Sequence, residues 1–173
     1  VLAATAEEEI SGKNGLELVY PQLGPVEAAV VGEPTEMHLA VAEKGLLVLD
    51  CVAKGKAGHA AREEGINAIY EALPDILWLQ SYKFPKESEH LGPVKMSVTV
   101  VQAGSQHNVV PESCSFTVDV RLTDAYTMEE VLETIQKHVK AEVVPRSMRL
   151  RPSSISLEHP LVQAGINMDR QTY

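Results

Sequence analysis

The sequence predicts an α+β fold, a two-layer βαββαβ (ferredoxin-like) sandwich over residues 38–152, flanked by two pieces of a different, α/β-like domain. Three observations predict it. In SCSFTVDVRL, residues 113–122, Phe116, Val118, Val120 and Leu122 alternate with Ser115, Thr117, Asp119 and Arg121, the pattern of a strand with one apolar face. Thr127 and Glu130 form a capping box, followed by Met128, Val131, Leu132, Ile135 and Val139 at helical spacing. The order strand, helix, strand, strand, helix, strand puts the helices on one face of an antiparallel sheet.

Taken in chain order, VLAAT (1–5) and EAAVVGEPT (27–35) read as short strands buried on both faces, the second closed by Gly-Glu-Pro. LLVLDCVAKG (46–55) opens the sandwich. A helix starts near Gly65 with Ile66, Ile69, Tyr70 and Leu73 on one side, and Pro74 is expected to kink or restart it. KMSVTVVQAG (95–104) alternates through Met96, Val98 and Val100, and AEVVPRSM (141–148) is the last strand. LRPSSISLEHP (150–160) reads as an exit linker.

Composition excludes several function classes. Fifteen Lys and Arg against twenty-four Asp and Glu leave a net charge of -9, which opposes nucleic acid and anionic membrane as partners. No apolar run approaches the roughly 18–20 residues that cross a bilayer. Cys51 and Cys114 lie in apolar strands without C-x-x-C spacing, the pattern of buried free thiols, which favours the cytoplasm. The ends, VLAAT and NMDRQTY, carry neither a start nor a stop signal, so a stretch of a longer protein is expected.

Singly, the polar motifs are commonplace. In order, TAEEE (5–9), VVGEPT (30–35), EKG (43–45), GKAGHA (55–60), GINAI (65–69), HNVVPE (107–112) and VDVR (118–121) resemble the zinc-dependent amidohydrolase and exopeptidase family. That family includes acetylornithine deacetylase, succinyl-diaminopimelate desuccinylase and glutamate carboxypeptidase, and only the middle of a member is represented.

The resemblance implies a division of labour. Residues 1–37 and 153–173 become fragments of the catalytic zinc-hydrolase domain, and 38–152 the inserted lid through which members form homodimers. Glu8 becomes the general base, Glu9 a zinc ligand and Glu33 a carboxylate ligand on a second metal, with two zincs per full-length subunit and cobalt as an alternative. A strand end at TAEEE turns adjacent carboxylates to opposite sides, so Glu8 and Glu9 can serve different places. His59 becomes an oxyanion donor reaching into the partner's active site, and Gly55 and Gly58 allow a close backbone approach for that crossing. Asn108 binds the substrate by hydrogen bonds. Arg121 grips its α-carboxylate, unless it is spent on a surface ion pair with Asp119 or another acid. His107, outside the motif, is read as surface.

The implied reaction is hydrolysis of the amide of a small N-acyl amino acid, of the N-acetylornithine or N-acylcitrulline deacetylase type. A desuccinylase, aminoacylase or small peptidase of the same family is the alternative. Outside that class stands a non-catalytic βαββαβ module for ligand sensing or dimerisation. The family's H-x-D histidine, its bridging aspartate and a late histidine ligand have no counterpart here, so this segment alone is expected to hold no zinc stably and to be inactive.

Overall fold

The computed structural model describes residues 4–7, 13–168 and 170–172. The chain divides into two compact units, Val1–Glu36 and Met37–Tyr173.

The first unit carries the short helix α1 (Leu16–Val19) and a 3-10 turn, Tyr20–Gln22, with a proline in its first turn. Here the expected strand over 27–35 does not form, and Val30 and Val31 are 85% and 76% exposed. A strand buried on both faces needs ladder partners and cover on either side. The described part of this unit contains no other strand to supply them. Of VLAAT, Ala4 and Thr5 are described and are not strand; residues 1–3 lie outside the described residues.

The second unit begins with β1 (Ala42–Glu43), β2 (Gly45–Lys54), β3 (Gly58–His59) and α2 (Ala68–Ser81). It continues through β4 (Lys95–Ala103), β5 (Val109–Val110), β6 (Ser113–Leu122) and α3 (Met128–His138), and ends with β7 (Glu142–Pro145), β8 (Ser153–Ser154) and α4 (Pro160–Ile166). The elements β2, α2, β4, β6, α3 and β7 make the expected βαββαβ unit, with an antiparallel sheet in the order β4-β6-β2-β7. Strands β2 and β6 pair along their whole length, from Gly45 opposite Leu122 to Lys54 opposite Ser113. Alternate residues of both face the helices, so Leu47, Leu49, Cys51, Phe116, Val118 and Val120 form the centre of the core. The capping box is present: Thr127 Oγ1 accepts from the Glu130 amide at 3.1 Å and Glu130 Oε2 accepts from the Thr127 amide at 2.8 Å. Pro145 sits on edge strand β7, where a missing donor is tolerated.

Three details depart from the sequence reading. Helix α2 runs unbroken through Pro74, started by Asn67, whose side chain accepts from the Ile69 amide at 3.0 Å. Its buried side is Ala68, Ala72, Asp75 and Leu79, whereas Ile66, Tyr70 and Leu73 of the expected apolar side are exposed together with Leu77. The small alanines bring the helix close to the sheet, and the larger residues are left outward. In β4 a register shift between Val98 and Val100 breaks the alternation, so Val100 stands opposite Thr117 on the open face and Val101 opposite Phe116 on the helix side. The exit linker is partly ordered, since Ser153 and Ser154 pair with Glu43 and Ala42. Both cysteines are buried and free, and burial pushes the Cys51 thiol up to about 12.

Candidate functional site

The segment that carries His59 is built by three motifs that look unrelated in the sequence. The Lys56 and Ile66 amides each donate to the other's carbonyl at 2.8 and 2.9 Å, joining GKAGHA to GINAI. The Gly55 amide donates to Glu112 and the Ala68 amide to Pro111, at 2.8 and 3.0 Å, which adds HNVVPE. A side chain at Gly55 would strike Ile66's carbonyl, and one at Gly58 would lie 2.9 Å from Gly65. These glycines therefore serve packing against their own chain, a nearer cause than the subunit crossing inferred from sequence.

On this platform β3 pairs with β5, His59 opposite Val109, and the Ala60 amide donates to the Asn108 carbonyl at 3.0 Å. The fold thus brings His59 and Asn108 together, both exposed. The Ala61 amide donates to His59 Nδ1 at 3.1 Å. A backbone amide can only donate, so Nδ1 accepts, and in the neutral ring the proton sits on Nε2 as an outward donor. Ala61 sets this tautomer through its backbone, which no side-chain motif could have revealed.

Arg121 stands apart from that pair. It lies eight residues along β6 from Ser113, roughly 26 Å from the end that adjoins His59 at about 3.3 Å per residue. Its Nε and Nη2 donate to the Asp119 carboxylate at 2.8 and 3.1 Å, the ion pair weighed above against a substrate grip. Two of five guanidinium N–H groups are used this way, and the edge formed by Nη1 and Nη2 keeps three.

Of the acidic triplet, Glu8 and Glu9 lie outside the described residues. Glu7 accepts from the backbone and side-chain nitrogens of Asn14 at 3.0 and 3.1 Å. Glu33 belongs to the first unit and is exposed. Among the described residues no group of three or more His, Cys, Asp or Glu is placed to hold a metal, so these residues do not by themselves fit a dinuclear centre. His107 is exposed, and no helix among the described residues is long and apolar enough to cross a membrane.

Comparison with known proteins bears on this arrangement. The sequence profile of the peptidase dimerisation domain matches residues 41–147. The acetylornithine deacetylase of Myxococcus xanthus is 31% identical over 149 residues, covering 80% of this chain and 39% of that protein. The succinyl-diaminopimelate desuccinylase of Paracoccus denitrificans is 29% identical over 169 residues, covering 91% and 41%. The chain thus spans about two fifths of the length of these relatives. Among solved structures, aminopeptidase PepT from Bacillus cereus superposes with a TM-score of 0.74 at 18% identity, over 98% of this chain and 48% of its own. The Bacillus subtilis YXEP protein, a dinuclear metal-binding peptidase, does so with a TM-score of 0.54 at 20% identity, over 79% and 34%.

Proposed function

Because the chain belongs to the peptidase dimerisation-domain family, we propose that it is the lid and dimerisation part of a metal-dependent amidohydrolase that cleaves N-acyl amino acids. Residues 38–152 are the lid, and 1–37 and 153–173 belong to the catalytic domain. The substrate is of the N-acetylornithine or N-acylcitrulline type, in keeping with the deacetylase among the relatives. The desuccinylase relative keeps an N-succinyl substrate as the second reading.

One observation carries the proposal: His59 and Asn108 adjoin one end of β6 and Arg121 the other, roughly 26 Å apart by strand rise. A small substrate cannot span that distance. A site using all three draws them from two copies of the chain, His59 and Asn108 from one and Arg121 from the other. Edge strand β4 and the exposed stripe Ile66, Tyr70, Leu73 and Leu77 beside it offer the surface on which copies meet as a homodimer.

The family resemblance divides the chemistry by residue. His59 presents its Nε2 proton to the oxygen that gains charge as the acyl carbonyl is attacked. Asn108 hydrogen-bonds the substrate, and the free edge of Arg121 takes the α-carboxylate. Glu8 takes a proton from the attacking water and returns it to the departing amine. Metal, zinc or alternatively cobalt, supplies Lewis acidity when bound, with Glu9 and Glu33 among its oxygen ligands.

The test is complementation in the full-length protein. Arg121→Ala, His59→Ala and, separately, Glu8→Gln should each abolish hydrolysis while leaving the dimer intact. Mixed dimers of Arg121→Ala with His59→Ala should regain about a quarter of the parental rate, since half the dimers are mixed and each holds one complete site. No recovery, with exchange of subunits verified, overturns the two-chain site; full activity of Glu8→Gln overturns the proposed base.

A further inference from the structure

The open face of the sheet carries an unexplained concentration of positive charge around Arg121. Directly opposite Arg121 on β4 is Lys95, and residues opposite one another in an antiparallel ladder project to the same face. Like charges so placed repel, and a chain of net charge -9 has no general need for the arrangement. Lys44 adds to it: its Nζ donates to the Pro93 carbonyl at 3.2 Å, beside the start of β4. Burial, and next the charge of Lys95, hold the Lys44 ammonium below the usual lysine range, as two cations within electrostatic reach must. Against the three cations stands Asp119, already engaged on one edge of Arg121. Among the described residues neither lysine has a carboxylate partner.

We propose that Lys95, backed by Lys44, extends the free edge of Arg121 into an anion subsite that takes a carboxylate of the substrate. The proposal rests on the amidohydrolase reading above and makes Lys95 a binding and specificity residue. Arg121, clamped by Asp119, supplies two parallel N–H donors, and Lys95 supplies a mobile ammonium on the neighbouring strand. One bound carboxylate relieves the repulsion between them, so the ligand pairs charges that the empty sheet holds apart.

The test uses the full-length protein with Lys95→Met, which keeps the apolar stem, and Lys95→Arg, which keeps the charge. Lys95 is exposed on an edge strand, so both variants should fold. For N-acetylornithine, Lys95→Met should raise KM about tenfold with kcat within about twofold, and Lys95→Arg should restore KM. With the α-carboxamide of the same substrate, parent and Lys95→Met should be alike. An equal effect on acid and amide, or none on either acid tested, overturns the subsite. An N-succinyl amino acid is the second acid. A penalty on both acids assigns the α-carboxylate to Lys95, and a penalty confined to the N-succinyl acid assigns the acyl-end carboxylate; each supports the subsite. Calorimetric binding of the acids and the amide is measured in parallel. A protein that hydrolyses none of them defeats the amidohydrolase reading, while acid-selective binding lost in Lys95→Met still supports the subsite and unselective binding overturns it.

Discussion

Asp75 shows how one side chain can tie two elements together. It is 3% exposed, and its carboxylate accepts from the Lys140 amide at 3.1 and 3.0 Å and from the Ala141 amide at 2.8 Å. The bonds fasten α2 to the turn between α3 and β7. Asp75→Ala leaves buried donors without a partner and should cost roughly 2–3 kcal/mol, seen as a lower urea midpoint with unchanged slope. Asp75→Asn, which keeps one acceptor oxygen, should lose less. Cys51 makes the opposite kind of statement. A thiol raised to about 12 by burial first, and by the charges of Asp50 and Asp75 next, stays protonated and inert in the fold. Iodoacetamide at pH 8 should therefore leave it unmodified until denaturant is added. The unfolded thiol ionises near about 8.5, so the stability this group contributes is complete below that pH and is lost as pH rises toward about 12.

At the scale of elements, α2 is where local propensity and tertiary packing disagree. Pro74 lacks the amide that a helix interior needs, yet the helix continues because Ala72, Asp75 and Leu79 on its inner side are held against the sheet and α3. Trp78 adds to the hold by stacking on His138 of α3, ring centroids 4.7 Å apart. Pro74 itself is exposed, so Pro74→Ala should stabilise the protein by about 1–3 kcal/mol, read as a higher midpoint of thermal unfolding. A midpoint that stays put or falls would show that the proline fits this helix without cost. The strands β2 and β6 and helix α3 were legible because pattern and packing agree there. Of the apolar side expected for α2 only Ile69 packs against the core, since two alanines and an aspartate supply most of the buried side and carry little hydrophobic signal.

For the whole molecule, the surface that remains open matters as much as the core. Val100 and Val101 on edge strand β4 are 46% and 53% exposed, and the outward residues of α2 extend the same apolar character. An edge strand that exposes valines on both its faces pairs with another chain unless it is blocked. Combining Val101→Lys with Leu77→Glu should raise the dimer dissociation constant at least about a hundredfold, detectable by analytical ultracentrifugation as monomer. An unchanged dimer would move the interface elsewhere.

The sequence by itself determined the βαββαβ order, the inner face of β6 and the capped start of α3, because periodicity of two or 3.6 is a property of neighbouring residues. It also marked His59, Asn108 and Arg121 as polar positions in ordered motifs. Only the tertiary structure decided that the first two share one ladder while Arg121 lies at the far end of β6, that Asp119 occupies one edge of that arginine, and that Lys95 faces it. Those relations depend on strand register between segments tens of residues apart. Register is set by the burial of whole faces and the bulge in β4, and no local pattern carries it.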